Sequence, residues 1–190
     1  MQLTVKTAVS RFQIHDELTA PDESAPLIKS IQAAGGAVTK FVGVLAGAPA
    51  VLRAYTRMRS ELRGGALPVA TRERIALAVA EFRHDTYSIA QHAKSARRAG
   101  LGLDEVSRAR SFGSGDAKEA ALLDYLKATI EADSPPPHHL HEEAREAGWS
   151  DEELLEAVAH LALNEFQSLI ASAAALPKDQ ATPEVLPSAA

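Results

Sequence analysis

The chain has 190 residues, 46% of them hydrophobic but only 5% aromatic, and a formal net charge of −5. That length supports one globular domain, and a core resting on Leu, Ile, Val and Ala favours close-packed helices over a sheet sandwich. Interspersed charge with no basic run argues against a nucleic-acid partner, and the absence of cysteine excludes disulfides, thiolate nucleophiles, Cys-based zinc sites and iron–sulfur ligation.

The N-terminal stretch MQLTVKTAVSRFQIHDE lacks the apolar region of a signal peptide. No stretch approaches the roughly 18 uncharged apolar residues that a membrane helix needs. The chain therefore reads as a cytoplasmic protein with no membrane partner. Residues 1–25 show no helical period and are expected to form an extended arm, ahead of a helical domain over 26–177. Pro26 opens a short apolar segment that Gly35 and Gly36 close, and a second segment runs from Val38 to Leu45. Pro49 stands where a first-turn proline belongs, followed at helical spacing by Val51, Leu52, Tyr55, Met58 and Leu62. Thr71 is expected to cap the next helix, which carries Ile75, Leu77, Ala78, Val79 and Phe82. Asp85 is expected to cap another, running to Gly100.

After the loop SFGSG, Asp116 introduces a helix with Leu122, Leu123, Leu126 and Ile130, which SPPP ends. A short helix spans His139 to Ala147. Ser150 and Glu153 then form a capping box at the head of the longest helix, which carries Leu154, Leu155, Val158, Leu161, Ala162, Phe166, Leu169 and Ile170. Residues 178–190, rich in Pro and Ala, read as a flexible tail. No segment alternates with period two for long enough to be a strand. The class is all-α, and short connections imply antiparallel neighbours.

Several polar constellations carry chemistry. Asp85, Ser88 and His92 share one helix face, because residues three and four apart are neighbours. Asp85 also fits a plain N-cap with Ser88 as its partner amide, so capping and catalysis both stand. Ser88 as a nucleophile with His92 as base is a further arrangement, weakened because serine nucleophiles sit on exposed turns rather than one turn inside a helix. His138, His139 and His141 follow a proline run with only Glu142 and Glu143 beside them, which reads as a solvated helix start rather than a metal site. His84 and His92 stand too far apart on a helix to share a metal without a further partner. His160, Asn164 and Gln167 form a polar line on an otherwise apolar helix, open to reading as a ligand-facing stripe, a subunit interface or a solvated face.

The segment PVATRERIALAVAEFRHDTYSIAQHAKSARRAGLGL, residues 68–103, resembles the signature region of the alkylhydroperoxidase D / carboxymuconolactone decarboxylase family. That signature has a Glu in one helix, a turn, then Cys-x-Tyr-Cys-x-x-x-His opening a second helix, followed by a basic residue and Ala-Gly-Leu. Glu73, Tyr87 and His92 match its glutamate, tyrosine and histidine, while Asp85 and Ser88 occupy the two cysteine positions. The likeness extends over roughly residues 40–177. It implies an all-α antiparallel bundle of the alkylhydroperoxidase D type and an obligate or near-obligate homo-oligomer, a trimer or hexamer. In the redox members one thiol is activated and the other resolves the sulfenate. A carboxylate and a hydroxyl do neither, so thiol peroxidase activity is expected to be absent. The decarboxylase branch is thiol-free and shares the histidine, but carries a glutamate four residues before it, where this chain has Ser88.

The resemblance thus implies a cofactor-free acid/base enzyme acting on a small organic acid or lactone. His92 would be the proton-transfer group, with Glu73 and Asp85 as catalytic partners. Ser88, Tyr87, His160 and Asn164 would contact substrate, and no metal would be required. The rival reading is a scaffold or ligand-binding protein that kept the fold and lost catalysis; a Ser88–His92 hydrolase or lactonase stands behind both.

Overall fold

The structure is a computed structural model that describes residues 10–177. The extended arm expected over 1–25 therefore falls partly outside the described residues, and the tail over 178–190 does so entirely. Among the described residues there are nine helices and no strand: α1 (Ala25–Ala33), α2 (Lys40–Leu45), α3 (Pro49–Arg63), α4 (Val69–Phe82), α5 (Thr86–Arg98), α6 (Leu103–Ala109), α7 (Ala117–Glu131), α8 (His138–Glu146) and α9 (Asp151–Ala174).

Local chemistry sets most of these boundaries. Thr39 caps α2 by accepting the Val42 amide, and Pro49 opens α3 at a position where the missing N–H costs nothing. Asp116 caps α7 through the Glu119 amide. At α9, Ser150 and Glu153 satisfy each other's amides, at 3.2 and 2.8 Å. Thr71 departs from its expected role. It lies inside the first turn of α4, fully buried, and its Oγ1 donates to Glu119 Oε1 at 2.6 Å. Pro68 starts the helix instead, its carbonyl accepting the Arg72 amide at 3.1 Å.

α4 is the central element. Ile75 to Ala80 are buried without a break, and the helix packs against α5, α9 and α6. Alanines at 76, 78 and 80 allow this close approach on several sides at once. On one side, Ile75 and Val79 meet Leu122, Leu123, Leu126, Trp149 and Leu161. The other large cluster joins Ile28, Phe41, Leu45, Leu52, Tyr55 and Leu163.

α6 was not expected from the sequence. Its apolar contribution is small, and a buried ion network fixes it in place. Arg74 of α4, only 8% exposed, donates to Glu105 of α6 at 3.1 and 3.2 Å and lies 3.3 Å from Glu119 of α7. The irregular segment 10–24 crosses the bundle end. There Arg11 N–H donates to the Ala174 carbonyl at 2.8 Å, and His15 N–H donates to the Gly43 carbonyl at 3.0 Å. Gly43 has no alternative, because a Cβ there would meet the His15 carbonyl oxygen at 2.7 Å.

Candidate active site

α4 and α5 form a helical hairpin joined by Arg83, His84 and Asp85. His84 takes a left-handed conformation (φ 53°), while Asp85 N–H reaches back to the Ala80 carbonyl at 2.8 Å. This closure brings the two helices antiparallel and places Glu73 of α4 beside His92 of α5. Glu73 Oε2 lies 2.9 Å from His92 Nδ1, with side-chain exposures of 19% and 23%. A carboxylate at Nδ1 holds the ring in the tautomer whose proton is on Nδ1, leaving Nε2 to exchange protons.

The other acids and bases near Glu73 in sequence are engaged elsewhere. Arg74 bonds Glu105 and Glu119, Arg83 bonds Glu165 of α9, and Arg72 donates to the Leu62 and Arg63 carbonyls at 3.2 and 2.9 Å, closing the end of α3. Glu73 is thereby left to His92.

Both residues line a cavity of about 420 Å³ between α3, α4, α5 and α9. Its basic groups are Arg59, Arg63 and Arg72, and α9 contributes His160, Asn164 and Gln167. The polar line expected on α9 therefore faces this cavity. It forms a bonded ladder: Tyr55 Oη donates to Gln167 Oε1 at 3.1 Å, Gln167 Nε2 to Asn164 Oδ1 at 3.0 Å, and Asn164 Nδ2 to the His160 carbonyl at 2.8 Å.

His160 is 6% exposed, and Glu156 Oε1 stands 3.7 Å from its Nε2. Burial pushes its pKa below the ordinary imidazole value, Glu156 works in the opposite direction, and Arg72 adds to the lowering. Glu156 is itself held by the connection before α4, accepting the Ala66 and Leu67 amides at 2.7 and 3.4 Å. Gly65 permits this, since a Cβ there would overlap the Glu156 carboxylate.

Asp85 lies apart from His92. It is 8% exposed, and its Oδ1 accepts the Tyr87 and Ser88 amides at 3.1 and 3.0 Å, so it is the N-cap of α5. It lines neither the 420 Å³ cavity nor its neighbour. Ser88 and Tyr87 line that neighbour, a hollow of about 270 Å³ on the other side of His92. No side-chain hydrogen bond joins Ser88 to His92, and the Ser88 amide is committed to the cap, so the serine-nucleophile arrangement has neither its base nor its own amide as an oxyanion donor at hand. Sequence reasoning missed Arg59 and Arg63, which reach the cavity only through the packing of α3. The sole signal was their one-turn spacing.

The remaining histidines form no comparable site. His84 is exposed in the hairpin turn, His138 pairs with Glu142 at 3.2 Å on the surface of α8, and His141 packs on the Tyr125 ring at 5.7 Å. Among the described residues, no group of three His, Asp or Glu side chains is placed to hold a metal ion. No helix among them is long and apolar enough to cross a membrane.

Comparison with known proteins bears on the fold. Residues 49–131 match the model of the carboxymuconolactone decarboxylase family. No curated protein matches the sequence. Among solved structures, an uncharacterised peroxidase-related protein from Silicibacter sp. TM1040 superposes with a TM-score of 0.75 at 19% identity, over 95% of this chain and 96% of that one. An uncharacterised peroxidase-related protein with an alkylhydroperoxidase AhpD core, from Ralstonia eutropha JMP134, superposes with a TM-score of 0.74 at 21% identity, over 90% of this chain and 93% of that one. At such identities the superpositions speak for the fold, which is the all-α alkylhydroperoxidase D fold. Over residues 49–131 the chain is similar to the carboxymuconolactone decarboxylase family, and it carries that likeness with no cysteine.

Proposed function

We propose that the protein is a cofactor-free acid/base enzyme, decarboxylase- or isomerase-like, acting on a small organic acid or lactone. The observation that carries this reading is the 2.9 Å Glu73–His92 contact in the wall of a cavity that also holds three arginines. Glu73 fixes the imidazole, and Nε2 of His92 delivers a proton to, or withdraws one from, a carbon whose negative charge the guanidiniums stabilise. His160 and Asn164 contact the substrate from α9, while Ser88 and Tyr87 contact it from the neighbouring hollow. Asp85 serves this chemistry as a positioning residue, by fixing the first turn of α5.

The working unit of this reading is a homo-oligomer, a trimer or hexamer. Leu155 and Leu169 of α9, 74% and 58% exposed, offer an apolar face for that assembly.

The reading is tested without knowing the substrate. Long-range ¹H–¹⁵N NMR of the full chain reports the His92 tautomer, with the Nδ1–H form expected to predominate. Glu73→Gln should abolish that preference. An Nε2–H ring in the wild type, or a tautomer ratio indifferent to Glu73→Gln, overturns the relay. With a carboxylated unsaturated lactone as trial substrate, His92→Gln should lower kcat at least a hundredfold, as loss of a positioned acid/base group does.

The rival reading, a ligand-binding scaffold, has one observation in its favour: Asp85, at a family cysteine position, is committed to capping. It predicts tight ligand binding with no turnover.

A further inference from the structure

Two hollows meet at His92. The 420 Å³ cavity carries Glu73, Arg72, His160 and Asn164, whereas the 270 Å³ hollow has Ile31, Phe41, Val42, Tyr55 and Tyr87 on its apolar wall, with Ser95 at one side. Arg59, Arg63, His92 and Gln167 line both. The aromatic wall is rigid. Phe41 and Tyr55 are 5% and 6% exposed, their rings meet edge to face at 5.2 Å, and Tyr55 is tied to Gln167.

Arg59 and Arg63 sit one turn apart on α3. Arg53, Arg74, Arg83, Arg110 and Arg145 each pair with a carboxylate. Arg59 and Arg63 have no acidic partner among the described residues, although both stand at the junction of the hollows. The carboxylate in the larger cavity, Glu73, is taken by His92, and the smaller hollow has no acidic residue in its lining; two guanidiniums left unpaired there select a planar anion able to accept paired hydrogen bonds, which is a carboxylate. The adjoining wall selects a flat, unsaturated body, because aromatic faces and edges give their best contacts to another π-system.

We infer that the two hollows are one bipartite site for an aryl-substituted carboxylate, with the anion held by Arg59 and Arg63 and the ring lodged against Phe41 and Tyr55. The carbon chain between anion and ring then passes His92. As a statement about binding it stands alone, and as a statement about substrate class it rests on the acid/base reading above.

Calorimetric titration of the full chain with trans-cinnamate tests it. Acetate serves as the ringless control and cinnamyl alcohol as the uncharged one. Cinnamate should bind at least tenfold more tightly than either. Arg63→Gln and Arg59→Gln, both at exposed positions, should each weaken cinnamate tenfold or more and leave cinnamyl alcohol unchanged. Ser95→Phe, which narrows the aromatic hollow from its partly exposed side, should weaken cinnamate while leaving acetate unaffected. Circular dichroism melting of each variant separates lost binding from lost folding. Cinnamate binding no tighter than acetate, or indifferent to both arginine variants in folded protein, overturns the proposal. The two readings fail separately. If cinnamate binds as stated while the His92 tautomer ignores Glu73→Gln, only the catalytic reading falls; if the tautomer responds and cinnamate does not bind, only the bipartite site falls.

Discussion

His160 shows how one residue's surroundings become a property of the folded chain. Its imidazole lies buried on α9, and that burial depresses its pKa below the ordinary value despite the carboxylate of Glu156 nearby. An unfolded chain takes up a proton at this residue as the pH falls through about 6.5, while the folded protein resists until a lower pH. Between those two points the unfolded state binds more protons, so stability is full above about 6.5 and falls on acidification through the folded pKa. Replacing His160 with Asn removes this contribution. Melting temperature plotted against pH should therefore fall less steeply below 6.5 in His160→Asn than in the wild type, and parallel curves would show that His160 carries no such linkage. The candidate site was partly legible at this scale. Glu73 and His92 stood out through their match to a family signature, and the structure brings them together at 2.9 Å. Arg59 and Arg63 did not stand out, because an arginine on an exposed helix face is indistinguishable in sequence from a solvated charge until a neighbouring helix builds a cavity beneath it.

Capping decides much at the scale of the element. Asp85 offered two readings in the sequence, cap and acid, and its carboxylate accepts two first-turn amides of α5. Asp85→Ala should cost about 1–2 kcal/mol, the usual range for N-caps. Asp85→Asn keeps the acceptor and should cost little, so an Asn variant with unimpaired turnover would confine Asp85 to positioning α5. At the opposite end of the chain, Ala175 closes α9 in a left-handed conformation (φ 50°, ψ 48°), with Leu176 N–H donating to the Ala171 carbonyl at 3.0 Å. A Cβ is strained there and glycine is not, so Ala175→Gly should stabilise by about 1 kcal/mol, read as a melting temperature higher by roughly 2–4 °C. The elements whose ends carry such chemistry (α3, α5, α7 and α9) were readable in the sequence from their prolines, acids and capping box. α6 was not. Its stability resides in Glu105 meeting Arg74 and the Gly115 amide across the fold, contacts that no local pattern encodes. Thr71 misled for the same reason: its hydroxyl is a good cap in isolation, but Glu119 takes it up within the packed core.

At the scale of the whole molecule, the decisive fact is that a fold shared with peroxidase-related proteins is carried here by a chain without a sulfur nucleophile. Thiol-based peroxide reduction inserts the distal peroxide oxygen at a sulfur and releases an alcohol or water, and a second thiol then displaces that oxygen as water to form a disulfide. Asp85 and Ser88 stand at the two positions concerned, and neither a carboxylate oxygen nor a hydroxyl oxygen undergoes that oxidation. The wild-type protein, treated with chelator to remove adventitious metal, should consume hydroperoxide no faster than a protein-free control; clear turnover would show that the chain reduces peroxide by a route independent of sulfur. The converse experiment asks whether the fold still supports the lost chemistry. The Asp85→Cys, Ser88→Cys double variant puts two thiols three residues apart at the head of α5, one turn before His92, where helix N-terminal amides stabilise a thiolate. It should lose the Asp85 cap yet consume about one equivalent of peroxide without an added reductant, and mass spectrometry should find it lighter by two hydrogens. If the folded double variant takes up no peroxide, the scaffold has diverged in more than the identity of two side chains, and the pocket around His92 has been reshaped for chemistry in which only protons move.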